Sequence, residues 1–433
     1  MADVRPFRGL RYDAALADPA LNIAPPYDVI SPEQQAALYE RSAHNVVRIE
    51  YGEQRPADGA ADNRYTRAAH DLDAWRRAGV LIRDAPPAIY AYRQEFEWDG
   101  LRHARTGYFA AVRIEEWEKG VIKPHEHTLS GPKADRLELL RATRTQVSPV
   151  YCVFRPRAGA PVMPSMPAEP LYDFEADGQR HVLSSVRDGA ALRQFAEHLA
   201  ACDVYIADGH HRYETALNYR NEVRARAAGW TGEEPENFVL MALTDAADPG
   251  LLVLPTHRVV NPPFAPPDAL ARIARFFEIE DIAADGDPLA RLLRRLEAAD
   301  RASTVFGAAG LKPGSLQLLS LRDRAGIEAL MPPAEPAAWK RLDVSVLQFG
   351  ILEHVFGIDA AALAAGGALT YTQDPRDARA AVDAGRAKLA FLLNPTPVEQ
   401  VLAVADAGGR MPQKSTYFHP KLPTGLVMNS LAS

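Results

Sequence analysis

The sequence has little cysteine and no long apolar run, and each shortage excludes a class of protein. Its two cysteines, Cys152 and Cys202, stand in unrelated contexts and form neither a disulfide framework nor a metal-spaced cluster. No uninterrupted apolar stretch approaches the roughly 18 residues that a membrane-spanning helix needs. The first residues, MADVRPFRGLRYD, lack the apolar segment of a secretory signal. We therefore expect a cytoplasmic protein without a membrane partner.

Positive charge is also in short supply. The 433 residues include 49 Lys and Arg against 56 Asp and Glu, which gives a net charge of −7. A net acidic chain is a poor starting point for a duplex-DNA binder, which weighs against nucleic acid as a partner. Apolar residues at 47% and charged residues at 24% are ordinary for a globular protein. The length predicts two or three domains.

Proline is the residue in excess, and its clusters divide the chain. There are 34 prolines in 433 residues, about 8% against a typical ~5%. The segment 155–170 is typical of a linker or exposed excursion, and 261–268 and 332–336 mark two further breaks. The predicted regions are 1–260, a small α/β domain over 261–340, and a helical C-terminal region over 341–433.

Capping residues and turn signals locate several helices and strands. Ser31 and Asp374, each followed by a proline, predict helix starts. The Asp99-Gly100 pair between two strand-like runs predicts a β-hairpin. Helices and strands are intermixed without a regular βαβ rhythm, so we predict an α+β (mixed α/β) fold.

The strongest local signal is the segment 204–217, VYIADGHHRYETAL. A short apolar strand is followed by Gly209 and then by a helical pattern of apolar residues. Glycine at a strand-to-helix turn lets the backbone approach a ligand, and a helix start offers N–H groups and the positive end of the dipole. With His210, His211 and Arg212 at that turn, the pattern predicts an anion site, for which phosphate is the natural ligand.

Two other interpretations of this turn stay open. The histidine pair can be purely structural, although Gly, His, His and Arg together at a helix start are unusual for a core. The pair can also ligate a metal ion. Against this, adjacent histidines point to different sides, and no third ligand is spaced to join them.

The stretch IADGHHRYETAL resembles the phosphate-binding motif of the ParB/sulfiredoxin-like superfamily, and its Asp-Gly-His-His-Arg is similar to that of free L-serine kinases. Those enzymes transfer phosphate from a nucleotide to the serine hydroxyl with a glutamate as base. In related partition proteins, such a turn binds nucleotide phosphates with a magnesium ion. The resemblance implies a ParB/sulfiredoxin-like core within 1–260, ADP or ATP as co-substrate, and Mg²⁺. It also implies phosphate or nucleotide contacts from Asp208, Gly209, His210, His211 and Arg212, with His211 catalytic as well.

A second resemblance extends over nearly the whole chain. Six blocks occur in order: VRPFRGLRYD, IAPPYDVIS, KPHEHTLSGPKADRLELLRATR, DGHHRYETAL, LPTHR and MPQKSTYFHPKLPTGLVM. Together they resemble a prokaryotic family known only as domain of unknown function 1015, and the chain is identified as a member. This resemblance implies membership of the family more firmly than any particular activity. Function in that family has been inferred largely through the serine-kinase-like motif.

The block 123–144 holds a His-Glu-His sequence in a loop before a predicted helix. By analogy with serine kinases, whose glutamate precedes the phosphate motif, Glu126 is the candidate base for a serine hydroxyl, with His125 beside it as a catalytic residue. The alternative is a carboxylate that pairs with a nearby Lys or Arg at the surface. His125 and His127, two residues apart on an extended chain, face the same side and could share a metal ion.

Two shorter motifs supply candidate substrate contacts. Tyr27 and Asp28 follow a double proline, which restrains the backbone. Asp28 could bind magnesium or the amine of the substrate, while an ordinary acidic turn before a helix explains it equally well. His257 and Arg258 follow an apolar strand and either face the same phosphate or lie at a strand end in solvent.

The C-terminal tail is positively charged. After Asp406 no acidic residue occurs. A positive stretch with hydroxyl groups suits phosphate contact, and Lys414 and Ser415 are the candidates. A disordered basic tail is the alternative, but the aromatic and leucine residues of this stretch predict a packed segment that returns to the site.

Taken together, these elements predict a small-molecule phosphotransferase, a nucleotide-dependent free serine kinase acting from ADP or ATP to serine or in reverse. Two alternatives belong to other classes: a metal-dependent phosphohydrolase acting on phosphoserine, and a nucleotide-sensing regulatory protein of ParB type. The expected partners are a small-molecule substrate and a nucleotide.

Overall fold

A computed structural model describes residues 1–128, 130–261, 266–300 and 303–432. Unit 1 comprises Met1–Pro124, Thr128–Leu252 and Pro420–Ser433, and unit 2 comprises His125–His127 and Val253–His419. The proline break predicted at 261–268 lies partly outside the described residues. Among the described residues, no helix is long and apolar enough to cross a membrane.

The strands are, in chain order, β1 (Val4–Arg5), β2 (Gly9–Tyr12), β3 (Leu81–Arg83), β4 (Ile89–Trp98), β5 (Leu101–Arg113), β6 (Ile122–Lys123), β7 (Thr145–Gln146), β8 (Val150–Pro156), β9 (Glu169–Ala176), β10 (Gln179–Val186), β11 (Cys202–Asp208), β12 (Phe238–Asp245), β13 (Leu252–Leu254), β14 (His257–Val260), β15 (Phe277–Asp281), β16 (Val305–Ala309), β17 (Leu316–Leu321), β18 (Leu369–Thr372), β19 (Leu389–Leu392), β20 (Tyr417–His419) and β21 (Met428–Ser430).

The α-helices are α1 (Pro19–Asn22), α2 (Pro32–Arg41), α3 (Val47–Glu50), α4 (Arg64–Arg77), α5 (Ser130–Thr143), α6 (Gly189–Ala200), α7 (His210–Arg226), α8 (Ala269–Ile273), α9 (Pro288–Glu297), α10 (Arg324–Glu328), α11 (Ala337–Lys340), α12 (Asp343–Ser345), α13 (Ala360–Ala365), α14 (Pro375–Asp383) and α15 (Val398–Asp406). Short 3₁₀ turns cover Tyr27–Val29, Trp117–Lys119 and Pro235–Asn237, and a π-helical segment covers Val346–Glu353.

Local sequence signals account for several element boundaries. The Ser31 hydroxyl accepts a hydrogen bond from the Gln34 N–H at 3.2 Å at the start of α2. The Asp374 carboxylate accepts one from the Arg376 N–H at 2.7 Å before α14. Asp99-Gly100 joins β4 to β5 with φ angles of 51° and 71°, as a tight hairpin turn requires. These three predictions are confirmed.

Unit 1 is built on a mixed sheet with the strand order β6-β11-β8-β12-β5-β4-β10-β9, and β1 pairs with β5. The strand β8 runs antiparallel to β11 and parallel to β12. The helices α6 and α7 pack on this sheet, where Phe195 and Tyr213 are fully buried beside Ile206. Burial of one such side chain contributes about 1.5–3 kcal/mol, so packing rather than helix propensity holds α7 in place.

The last part of the C-terminal tail, Pro420–Ser433, belongs to unit 1. Its strand β21 lies between β2 and β7 in a small sheet of order β3-β2-β21-β7. Leu426, Val427 and Met428 are buried. The prediction of a packed tail rather than a disordered one is confirmed.

Unit 2 contains a second sheet, with the order β15-β17-β16-β19-β14-β18, and a two-stranded ladder of β13 and β20. Its main core gathers apolar side chains from β14, β16 and β19 around the π-helical segment, including Phe306, Ile351 and Phe391. Helices and sheets in both units confirm the predicted mixed α/β class. The ParB/sulfiredoxin-like core stays a prediction.

The division of the chain differs from the predicted regions 1–260, 261–340 and 341–433. The strands β18 and β19 pair with β14 and β16, so the segments on either side of residue 340 share one sheet. Pro420–Ser433 joins unit 1, and the predicted helical region also contains strands. The excursion predicted at 155–170 agrees better, since β8 ends at Pro156 and irregular chain continues to β9.

Candidate functional site

The predicted strand, turn and helix occur as expected in unit 1. Asp208 ends β11, Gly209 has a φ of +92°, and α7 begins at His210. Within the part of the chain that the structure describes, no side chain caps α7 at Gly209. A Cβ at Gly209 would lie 2.8 Å from Arg212 Nε, which shows that the arginine folds back over the glycine. Glycine is therefore required here for both its φ and its size.

Asp208 stands between two cations. Its Oδ2 lies 2.5 Å from Arg212 Nη2, and its Oδ1 lies 2.5 Å from Lys421 Nζ. Arg212 Nη1 also donates to the carbonyl of Pro149, just before β8. The guanidinium is thus fixed at two points, and its position at the start of α7 does not depend on a ligand.

The charges of this cluster stabilise one another. Burial would raise the pKa of the Asp208 carboxyl, but Lys421 and Arg212 outweigh it and hold that pKa well below the ordinary value. Burial likewise disfavours the Arg212 charge, yet Asp208 and Asp28 help to raise the pKa of its guanidinium. Asp208 and Arg212 therefore both carry their charges at neutral pH.

Tyr27 and Asp28 belong to the same unit as this cluster. The Arg136 guanidinium lies 4.1 Å from the centre of the Tyr27 ring, and its Nη1 donates to the Glu50 carbonyl at 2.7 Å. This stacking restrains the turn that carries Asp28. Asp28 is exposed, and among the described residues its carboxylate makes no hydrogen bond or ion pair, although its charge acts on Arg212.

A buried carboxylate lies behind Arg212. Glu50 accepts a hydrogen bond from the Ser148 hydroxyl at 3.0 Å, and burial raises its pKa although Arg136 and Arg212 oppose this. These four residues border a small, partly open pocket of about 50 Å³. That volume suits one or a few water molecules, so this pocket is too small to hold a nucleotide.

The first turns of α7 also carry an ion pair to α5. Glu214 Oε1 lies 2.7 Å from Lys133 Nζ, and its other oxygen accepts from the Thr128 hydroxyl. Burial would raise the pKa of Glu214, but these hydrogen bonds lower it. Lys133 is therefore engaged in holding α5 against α7, a more specific role than a solvated helix face.

In unit 2, the His-Glu-His segment is anchored by the tail that precedes residue 420. His125 is buried, and its Nε2 lies 3.0 Å from Thr416 Oγ1. Its carbonyl accepts from the Met411 N–H at 2.6 Å, and Glu126 forms a β-bridge with Met411. Burial lowers the pKa of Arg258 to about 10, although the neighbouring Glu126 favours its charge. Glu126 thus lies within electrostatic reach of a buried arginine.

The other sequence-predicted residues of unit 2 differ widely in exposure. His257 is buried, its Nδ1 accepts from the Leu393 N–H at 3.2 Å, and burial lowers its pKa to about 4. It is therefore a neutral imidazole at the first residue of β14, buried rather than in solvent. Lys414 is exposed with a φ of 56°, whereas Ser415 is buried and donates to the Pro412 carbonyl.

The described residues contain no group of three or more His, Cys, Asp or Glu side chains that could hold a metal ion. His125 is 1% exposed whereas His127 is exposed. The two imidazoles therefore occupy different environments, which does not favour the predicted shared metal ion.

The sequence-predicted residues thus fall into two groups. Unit 1 holds Tyr27, Asp28, Asp208, Gly209, His210, His211 and Arg212. Unit 2 holds His125, Glu126, His127, His257, Arg258, Lys414 and Ser415. Sequence reasoning missed Lys421, Glu50 and Arg136. The acid-free tail was a usable signal for Lys421, but no local pattern marks the other two.

Comparison with known proteins shows which family and which solved structures the chain is similar to. The family described as "Protein of unknown function (DUF1015)" matches residues 4–345. No curated protein gives a significant match. Among solved structures, a free serine kinase in complex with AMP is 14% identical, covering 74% of this chain and 92% of its own, with a TM-score of 0.37. A conserved hypothetical protein from Pyrococcus furiosus is 13% identical, covering 74% and 95%, with a TM-score of 0.35. Similarity at this level carries no argument about activity.

Proposed function

Because the chain belongs to the DUF1015 family, whose description gives no activity, we propose its function from the site: a small-molecule phosphotransferase of the free serine kinase type. The observation that carries the proposal is the turn at Gly209, where Arg212 is fixed over the start of α7. In this proposal, the phosphates of ADP or ATP bind at Gly209–Arg212.

The chemistry of phosphoryl transfer suits such a site. The transferred group needs orientation and charge stabilisation more than covalent participation from the protein. The start of α7 supplies a positive dipole end, and Arg212 supplies a buried guanidinium that is already held by Asp208. Donors that are fixed before the ligand arrives lose little free energy to reorganisation when it binds.

The residues of unit 1 fit a magnesium ion that enters with the nucleotide. Magnesium is usually held by one or two carboxylates together with substrate phosphates. Asp208 is occupied by two cations, whereas Asp28 has no such partner among the residues that the structure describes. Asp28 would therefore hold the ion, which would neutralise phosphate charge.

The decisive experiment is a coupled assay of purified protein with serine and either ADP or ATP. Formation of phosphoserine that depends on nucleotide supports the proposal. Hydrolysis of phosphoserine with a metal ion alone, at an equal rate without nucleotide, would instead support the phosphohydrolase. A salt-sensitive gel shift with DNA and no turnover would support the ParB-type regulator.

We expect Asp28→Asn to raise the magnesium concentration needed for half-maximal turnover about 10-fold or more, because the variant loses an anionic ligand. The measurement is a magnesium titration of the coupled assay. Asp73→Asn is the matched control, since Asp73 is an exposed aspartate of the same unit on α4. Equal magnesium dependence in the two variants would remove Asp28 from the site.

Glu126→Gln tests the predicted base. If Glu126 accepts the serine proton, the variant loses about 10²–10⁴-fold in kcat while its nucleotide Kd stays unchanged, since general base catalysis acts on the chemical step. Stopped turnover with intact nucleotide binding is the expected result. A near-wild-type kcat in this variant would show that Glu126 is not the base and only lies beside Arg258.

A further inference from the structure

The segment Pro420–Leu422 brings a lysine to the start of α7. Lys421 Nζ lies 2.5 Å from Asp208 Oδ1, and only 12% of its side chain is exposed. We propose that Lys421 is a ligand of the nucleotide phosphates, contributed to the site by the C-terminal segment. This inference rests on the function proposed above and names a residue that sequence reasoning did not select.

The backbone on both sides of the lysine side chain is clamped. Arg105, buried on β5, donates from Nη2 to the Pro420 carbonyl at 2.8 Å and to Gln94 Oε1 at 2.5 Å. Gln94 Nε2 in turn donates to the Lys421 carbonyl at 3.3 Å. Two consecutive carbonyls are thus held by β4 and β5, so the backbone at Lys421 is fixed by the sheet, and Asp208 holds the ammonium.

The same arginine connects the clamp to the strand beside Asp208. The Arg105 guanidinium lies 4.8 Å from the centre of the Tyr151 ring, and Tyr151 of β8 is in register with Asp208 of β11. Both members of the Lys421–Asp208 pair are therefore fixed through neighbouring strands. A lysine that is already fixed binds phosphate more tightly than a flexible surface lysine, because less side-chain entropy is lost on binding.

Charge supports a ligand role as well. The single carboxylate of Asp208 faces two cations, Arg212 and Lys421, at a helix start, and Asp28 and Glu50 also act on Arg212. A lysine at such a position binds phosphate as a point charge, whereas an arginine binds it through two parallel N–H donors.

The test compares Lys421→Met with Lys119→Met by measuring the Kd of ADP, AMP and adenosine. Lys119 is the control because it is also a unit 1 lysine paired with a carboxylate, Glu115, at 2.6 Å. We expect Lys421→Met to weaken ADP binding 10- to 100-fold, to weaken AMP binding less, and to leave adenosine unchanged. Lys421→Arg, which keeps the charge, should restore most of the ADP affinity.

A lysine that merely neutralises Asp208 would also reduce affinity when removed, so a double variant is needed. In the Asp208→Asn background there is no carboxylate charge left to neutralise. If Lys421 contacts phosphate, adding Lys421→Met still weakens ADP binding at least 10-fold; equal affinity of the single and double variants would overturn the inference. Wild-type protein that binds none of the three ligands would overturn the proposed function itself, which is a distinguishable failure.

Discussion

Replacing Arg212 with glutamine is expected to weaken ADP or ATP binding at least 100-fold and to abolish turnover. The guanidinium is mostly buried, carries a raised pKa, and is fixed by Asp208 and the Pro149 carbonyl over the start of α7. Glutamine keeps part of the shape but loses the charge and the bidentate geometry that phosphate requires. Nucleotide Kd from calorimetry and phosphoserine formation from the coupled assay measure the two losses.

The same substitution breaks a buried ion pair, which typically costs about 3–5 kcal/mol, so stability must be separated from binding. Arg220→Gln is the matched control. Arg220 lies on α7 too, is 5% exposed, and pairs with Glu116 while it donates to the Ile114 carbonyl at 3.0 Å. Comparable losses of unfolding free energy, with nucleotide affinity lost only in Arg212→Gln, are expected. Unchanged affinity in Arg212→Gln would refute the phosphate site.

Features encoded within a few residues could be predicted from the sequence. Three such features are the Ser31 cap, the Asp99-Gly100 hairpin and the strand-to-helix turn at Gly209. Each depends on local backbone preferences that follow directly from the residue types. For the same reason, the sequence alone placed glycine, histidine and arginine at this turn, although it did not predict the residues that they contact.

Features that depend on pairing between distant segments could not be predicted. For His257 the sequence left open a phosphate contact or a strand end in solvent. It is buried because β14 lies between β18 and β19, which follow it by a hundred residues or more. The boundary placed at residue 340 fails for the same reason, since that pairing joins both sides of it. Lys421 contacts Asp208 only because β21 carries the tail into unit 1.

The fit of Lys421 also changes how the acid-free tail is interpreted. Its composition indicated phosphate contact without indicating which cation makes it, and Lys414 stood next to the hydroxyl residues. In the structure, Lys414 is exposed whereas Lys421 is mostly buried against Asp208. Composition thus predicts phosphate contact from this segment, and in our proposal Lys421 makes it, because Arg105 holds the backbone beside it.

Gly209→Ala is expected to abolish nucleotide binding through backbone and steric effects, with no change of charge. An L-residue with a φ of +92° costs about 1–2 kcal/mol, and the added Cβ would lie 2.8–2.9 Å from atoms of the Arg212 guanidinium. Arg212 must therefore move away from Asp208 and from the Pro149 carbonyl. We expect at least a 100-fold rise in the nucleotide Kd together with a fall in unfolding free energy that exceeds the cost of the positive φ alone.

Gly178→Ala separates these two effects. Gly178 has a φ of +75° in the hairpin between β9 and β10, but an added Cβ there meets no described atom within 4 Å. Gly178→Ala should lose about 1–2 kcal/mol in denaturant unfolding because of its positive φ. Gly209→Ala should lose more, because the displaced Arg212 also leaves Asp208. Nucleotide affinity should fall only in Gly209→Ala, since the displaced arginine is specific to that turn. Equal affinities in the two variants would mean that the position of Arg212 does not determine phosphate binding.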